Sequence, residues 1–441
     1  MLLNFAVRNF RCFSDEAQLS LTSPSLRTNI PRKGQTWIEA TERVAAIFGP
    51  NASGKTTILD AIHAVAIAVL SPGAGTVFQP TLSRSSDSPA TEYAIDFISG
   101  DVRYQYEIRA SRWGISWEAL YSFPKGTRRT VFTRFQEERD SELEFTKGSS
   151  LVGPTAEVLR ITKPTMLFMS TAHKYGHKAL SSVARTLVAD VGINFVSFRD
   201  TQDETVLQRV VMEMVADPGN TQVDLVKALV QAADLGIERV EIQRETIDEK
   251  EYEWIVRMVE ALNDGTERSK EDIPRLRDAV VFFHRSEEGE EFKLPVQNQS
   301  AGTITWLTTA WHALKALRAG SVLLIDELDA SLHPELARYV VELFQTPHFN
   351  QHGAQLIFTS HDISLLGNAP TRLLQPRNVW FTEKKKAGQS ELFSMSEFDN
   401  RAGNNDERRY MAGQFGALPD IDDHLLIQFV ASEAAEDPVD V

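Results

Sequence analysis

The chain has 441 residues, 42% of them hydrophobic and 24% charged, and a formal net charge of −15, the balance of a soluble globular protein of two to three domain-sized units. The acidic surplus argues against whole-surface affinity for nucleic acid, which draws on a positive field, and the longest apolar run, Ala64 to Leu70, is far too short to cross a bilayer. A single cysteine, Cys12, excludes internal disulfides and a cysteine-based zinc site, and it reads as a small packed residue of the first strand. A cytoplasmic protein is expected.

In chain order, MLLNFAVRNFRCF sets Leu3, Phe5 and Val7 against Asn4, Ala6 and Arg8. That alternation predicts a half-buried strand and lacks the charged-then-apolar layout of a signal peptide. Residues 44–62 then read VAAIFGPNASGKTTILDAI. Val44–Phe48 is apolar throughout, as in a buried parallel strand. From Thr57 to Leu70, Ile58, Ala61, Ile62, Val65 and Val69 are spaced to pack as a helix. The turn between them, Gly49, Pro50, Asn51, Ala52, Ser53, Gly54, Lys55, Thr56 and Thr57, satisfies the phosphate-cradle pattern at Gly49, Gly54, Lys55 and Thr56. Glycines 49 and 54 let the backbone approach phosphate oxygens without an intervening Cβ. Backbone N–H groups at the helix start converge on an anion, Lys55 neutralises the β/γ-phosphates, and the Thr56 hydroxyl suits Mg²⁺.

Residues 91–136 alternate repeatedly (EYAIDFIS, VRYQYEIRA, TVFTRF) with polar connections, which predicts antiparallel strands. The densest basic clusters, 125–134 and 384–386, read as solvated strand ends or loops, with a local nucleic-acid-binding patch left open. Residues 155–275 are mostly helical in pattern, as in VLQRVVMEMVA, QVDLVKALVQAADLG and EYEWIVRMVEALND, and strands at 236–244 and 279–285 return towards the nucleotide domain.

The acidic partner of the cradle appears only at SVLLIDELDASLHP, residues 321–334. Val322–Ile325 is a buried strand that delivers Asp326 and Glu327 at its C-terminal edge. Asp326 suits the metal shell, and Glu327 is placed to orient or deprotonate a water. A third strand, AQLIFTSHD at 354–362, brings His361 to the same edge, where an imidazole could donate a hydrogen bond to developing charge. Just before the acids, QNQSAGTITWLTTAWHAL (297–314) places Ser300 and Gly302 ahead of a helix whose N–H groups can hold an anion. The final ASEAAEDPVDV is acidic and reads as disordered.

The late acids and the inserted segments do not suit a compact kinase or small GTPase. They predict an α/β fold of the ABC/SMC type, a P-loop ATPase head with an antiparallel β lobe and an inserted helical lobe. The expected units are 1–150 (N-terminal lobe), 151–278 (mainly helical insertion), 279–425 (C-terminal lobe) and 426–441 (acidic tail).

LLNFAVRNFRCFSDEAQLSL, IFGPNASGKT, QSAGT, LLIDELDASLHPEL, QLIFTSHD and YMAGQFGALP occur together and in this order. The set resembles the RloA/AbiL-like family of bacterial ATP-binding proteins, relatives of RecF, SMC and OLD-type ATPase heads. The resemblance implies ATP and Mg²⁺ as cofactors and slow hydrolysis with Glu327 and His361 as catalytic groups. It implies a homodimer or higher homo-oligomer in which Ser300, Gly302 and Asp329 act across an ATP sandwich. By the same resemblance Gln79 is a candidate metal contact, or else a polar loop residue, and Arg11 reaches the nucleotide from the first strand. Anti-phage defence beside a separately encoded, nuclease-like effector, with a phage-derived trigger, is the implied role. A nucleotide-stabilised scaffold sequestering a toxin, and a DNA-repair head, are the alternatives. The stretch after His361 is short for the nuclease domain of OLD proteins, and Leu328 stands where transporter subunits carry proline, so neither a nuclease nor a membrane partner is expected.

Overall fold

The computed structural model describes residues 1–72, 77–82, 90–192, 194–197, 236–247, 276–286, 288–295, 298–385, 388–401, 403–419, 423–425 and 427–429, with isolated positions between 228 and 257. Two large sheets dominate these residues.

The central sheet has six strands in the order β16-β15-β3-β14-β13-β9. They are β3 (Val44–Phe48), β9 (Phe195–Val196), β13 (Val322–Ile325), β14 (Gln355–Thr359), β15 (Val379–Lys384) and β16 (Ser390–Ser394). Pairing is parallel from β15 through β3, β14 and β13 to β9, and antiparallel at the β15–β16 hairpin. Every residue of β3, β13 and β14 is buried, because a parallel sheet is covered on both faces. Alternation then sorts the side chains. Ala45 and Ile47 join a core with helix α1 (Lys55–Leu70), whereas Val44, Ala46 and Phe48 join a second core. That second core includes α5 (Ala301–Ala319) and α6 (Pro334–Gln345). Ser300 caps the start of α5 by accepting from the Thr303 N–H at 3.1 Å, and Gly320 ends it at φ +67°, where only glycine is unstrained.

The second sheet is antiparallel, in the order β2-β1-β4-β5-β6-β7-β8: β1 (Leu2–Arg8), β2 (Ala17–Ser20), β4 (Thr91–Ser99), β5 (Val102–Ser111), β6 (Gly114–Ser122), β7 (Arg129–Phe135) and β8 (Glu144–Lys147). The alternation expected at the N-terminus is present: Leu3, Phe5 and Val7 are buried and Arg8 is exposed. Buried Gln355 at the start of β14 joins the two sheets. Its Oε1 accepts from the Leu2 N–H at 2.7 Å, and its Nε2 donates to the Leu2 carbonyl at 2.9 Å.

Three short helices, α2 (Thr155–Ile161), α3 (Phe168–Lys174) and α4 (Ser181–Arg185), pack into the same core as α1 and the antiparallel sheet. Packing therefore runs across residue 150 without a break. The fully buried Glu118 of β6 anchors α3, accepting from the N–H groups of Phe168 (2.6 Å) and Met169 (2.8 Å) and from the Tyr106 hydroxyl (2.8 Å). Buried Arg134 lies 3.5 Å from the same carboxylate.

The strands read at 236–244 and 279–285 are β10 (Ile237–Thr246) and β11 (Leu276–Arg285). They form a separate three-stranded sheet with β12 (Glu291–Pro295) rather than extending the central one. The helical pattern at 206–216, all but isolated positions of those at 222–236 and 251–264, and most of the acidic tail lie outside the described residues. A short helix, α7 (Asp406–Met411), precedes the FGALP segment. No described helix is long and apolar enough to cross a membrane.

Candidate nucleotide site

The C-terminal ends of β3, β14 and β13 lie side by side, with β14 between the glycine-rich turn and the acids. The turn is built by close approach. A Cβ on Gly49 would lie 2.3 Å from the Thr382 carbonyl oxygen of β15, and one on Gly54 would lie 2.7 Å from Cys12 Sγ. Ala52 and Gly54 have φ of +60° and +107°, left-handed values that help curl successive backbone N–H groups into an anion-binding concavity. The buried Ser53 hydroxyl is 2.6 Å from that of Thr382. Cys12 lies beyond β1, not in it, with its Sγ 3.6 Å from Thr57 Oγ1.

Lys55 opens α1 and is 6% exposed. Its ammonium donates to the carbonyls of Gly49 (2.9 Å) and Pro50 (3.0 Å), so the loop arches over it. Burial lowers its pKa, and the charges of Asp326, Glu327 and Asp329 oppose that shift. Thr56 donates from its hydroxyl to the Asp326 carboxylate, 3.0 Å from each oxygen. The two residues read from distant segments as metal-binding are therefore in direct contact.

The acids sit on a distorted turn. Glu327 has φ +55° and Ser331 φ +60°, a conformation costing a non-glycine residue about 1–3 kcal/mol. Thr359, the last residue of β14, holds the turn. Its hydroxyl donates to Asp326 Oδ1 and accepts from the Glu327 N–H, both at 2.7 Å, and its carbonyl accepts from the Leu328 N–H at 3.0 Å. The His361 N–H donates to the Asp329 carboxylate at 3.1 and 3.2 Å. His361 also lines a cleft of about 920 Å³ with Gly49, Pro50, Asn51, Glu383, Lys384 and Tyr410.

Arg11 and Gln79 form a separate group. The Arg11 guanidinium donates to Gln79 Oε1 at 2.9 Å and to the Asp60 carboxylate, one helical turn beyond Thr56. Neither has a hydrogen bond to the Thr56–Asp326 pair among the described contacts. Ser300 is engaged within its own helix start, and Gly302 is packed so that a Cβ would lie 2.9 Å from the Ser331 carbonyl oxygen. The turn after the acids thus abuts the head of α5.

The family model described as "AAA domain, putative AbiEii toxin, Type IV TA system" matches residues 44–367, from the first residue of β3 to just beyond His361. The chain belongs to that family. Within this AAA domain lie the P-loop, the Asp326–Glu327 pair and His361. No curated protein matches the chain. Among solved structures, the SMC head domain from Thermotoga maritima is similar at 13% sequence identity and a TM-score of 0.41, with 89% of this chain and 98% of that one covered.

The residues fit Mg·ATP chemistry. Thr56 and Asp326 supply hydroxyl and carboxylate oxygens, the hard ligands that magnesium takes. Among the described residues no three His, Cys, Asp or Glu side chains group to hold a metal by themselves. Thr359 and Thr382, both buried, grip the acids and the glycine loop, yet no sequence motif marks either. A threonine at the end of a strand is commonplace, and only the pairing of β14 with β13 and of β15 with β3 gives these two their neighbours.

Proposed function

We propose that this AAA-domain protein binds and slowly hydrolyses ATP, and that ATP-dependent pairing of two copies acts as a switch on a separately encoded effector in RloA/AbiL-like bacterial anti-phage defence. The observation that carries the nucleotide part is the direct Thr56–Asp326 contact beside the arched loop around Lys55. Lys55 and the loop N–H groups hold the β- and γ-phosphates. Thr56 and Asp326 hold Mg²⁺, which supplies positive charge to the phosphate oxygens. Glu327 accepts the proton of an attacking water, and His361 donates to charge developing at the γ-phosphate. On this reading Gln79 contacts the metal and Arg11 reaches the nucleotide from beyond the first strand.

The pairing part is supported by exposure. Asn51 and His361 are exposed beside the cleft, and Ser300 is exposed at the head of α5. Ser300 and Gly302 of one copy would face the γ-phosphate held by the other, with Asp329 between them. The AbiEii toxin and Type IV TA wording of the family description favours a two-gene system over DNA repair.

Glu327→Gln tests the switch. Glutamine keeps the shape but cannot take the proton, so hydrolysis should fall by at least ~10²-fold while ATP binding persists. The ATP-bound dimer should accumulate on size-exclusion chromatography with ATP and Mg²⁺, and effector output in cells should change with it. Wild-type turnover would remove Glu327 as the base. Trapped ATP with unchanged output would decide for a scaffold.

A further inference from the structure

We propose that Thr359 is a positioning residue that ties the metal-holding carboxylate to the backbone of the general base, so that Asp326 and Glu327 are set by one hydroxyl. The inference rests on the nucleotide-site reading above.

A threonine hydroxyl has one proton to give and two lone pairs to offer. Here the proton goes to Asp326 Oδ1 and a lone pair takes the Glu327 N–H, both at 2.7 Å. The donor is thereby spent, and Thr359 has none left for a water or a phosphate. What remains is orientation. Thr56 reaches the same carboxylate at 3.0 Å, so Asp326 is held from α1 and from β14 at once. A carboxylate fixed by an outer hydrogen bond presents a defined oxygen to a metal, and losing such a partner typically costs ~10–100-fold in metal affinity or activity.

The second bond addresses the backbone. Glu327 sits at φ +55°, a conformation that persists only when its surroundings over-determine it. Thr359 supplies two of those constraints, through its hydroxyl to the Glu327 N–H and through its carbonyl to the Leu328 N–H. Its side chain is β-branched and so stiff at χ1, it has no solvent exposure, and its backbone is registered against Ile47 of β3. The hydroxyl is therefore fixed relative to the P-loop strand, and through it both acids are too. Two residues later, the His361 N–H grips Asp329, so the end of β14 and the acidic turn form one unit.

Thr359→Val keeps the branching and volume and deletes both side-chain bonds, whereas Thr359→Ser keeps the hydroxyl. The valine variant should lose 10–100-fold in ATP turnover and should need more Mn²⁺ or Mg²⁺ for half-maximal nucleotide binding. ATP affinity measured in EDTA should stay at the wild-type value. In the nucleotide-free protein, amide hydrogen exchange across 324–330 should quicken in the valine variant and return towards wild type in the serine variant. Wild-type exchange and metal requirement in Thr359→Val would overturn the proposal. So would equal losses in Thr359→Ser and Thr359→Val, because the hydroxyl that serine keeps would then not be what sets the two acids. A wild-type protein that binds no ATP would remove the nucleotide reading alone, and the exchange comparison would still decide whether Thr359 sets the turn.

Discussion

Replacing Gly49 by alanine tests whether the loop's function depends on how closely it approaches β15. A Cβ there would sit 2.3 Å from the Thr382 carbonyl oxygen, 2.6 Å from Thr382 Oγ1 and 3.0 Å from Ser53 Oγ, at a φ of +150°. Ordinary contact begins at 3.4 Å, so the loop and β15 must part by about 1 Å. β15 cannot yield easily, because it is registered on β3 through Trp380–Ile47 and Phe381–Phe48 immediately before the clash. The loop must move instead, taking Ser53 and the backbone N–H groups with it. Overpacking of this kind costs about 1–3 kcal/mol of stability, and a 1 Å misplacement of a catalytic group costs ~10²-fold in rate. Gly49→Ala should therefore fold with a melting temperature several degrees lower and hydrolyse ATP at about a hundredth of the wild-type rate. Gly100→Ala is the control, since Gly100 has φ +60° and nothing within 4 Å of its added Cβ. It should lose some stability and no turnover. The measurements are phosphate release under saturating ATP and thermal unfolding of both variants. A Gly49→Ala protein with wild-type turnover would refute the argument that this contact shapes the phosphate loop.

Gly302→Glu should abolish ATP-dependent dimerisation while leaving ATP binding to the single copy, and Gly302→Ala, which shares the 2.9 Å approach to Ser331 without the charge, separates the carboxylate from the crowding. Analytical ultracentrifugation with ATP would show it, and a Gly302→Glu protein that dimerises normally would exclude this helix start from the interface. Glu118→Ala should cost about 3–5 kcal/mol, because Arg134 is left as an uncompensated buried charge and α3 loses the acceptor for its first N–H groups. Urea unfolding gives the value, and a loss below about 1 kcal/mol would mean that α3 is held by its apolar contacts alone.

The parallel strands were legible because burial on both faces forces an uninterrupted apolar run. VAAIF and VLLI became β3 and β13 at the expected residues, and QLIFT became β14 around the expected Leu356–Phe358. The antiparallel strands showed through alternation, as in Tyr93, Ile95 and Phe97. The company each strand keeps did not show. Nothing in LLNFAVR states that it lies beside β4, far along the chain, and nothing in IERVEIQRET or LRDAVVFFHR states that the two pair with each other and β12 instead of entering the central sheet. Pairing is decided by which apolar faces remain uncovered once the chain collapses, a property of the whole.

At the site, legibility follows how many jobs one residue's chemistry permits. A Gly-x-x-x-x-Gly-Lys-Thr turn after a buried strand serves few ends other than binding phosphate, so Gly49 to Thr57 could be singled out, and Asp326 could be matched to Thr56 across the sequence between them. Ser300 is ambiguous by the same measure: a serine before a helix is first a cap, and capping is the role its hydrogen bonds display. Gln79 and Arg11 illustrate a third case, in which the residue read as a metal contact and the one read as reaching the nucleotide bond to each other, with Arg11 also on Asp60. An arginine that must reach a phosphate has to be held extended beforehand, because a free side chain loses rotamer freedom on binding. Its bonds to Asp60 and Gln79 can supply that restraint, or can consume the guanidinium altogether. Arg11→Lys would keep the charge and give up the fork that serves two acceptors at once. If the restraint serves the nucleotide, that conservative change should weaken ATP binding about as much as Arg11→Ala does. If the group is only a brace for α1, Arg11→Lys should leave ATP binding untouched and shift thermal unfolding alone.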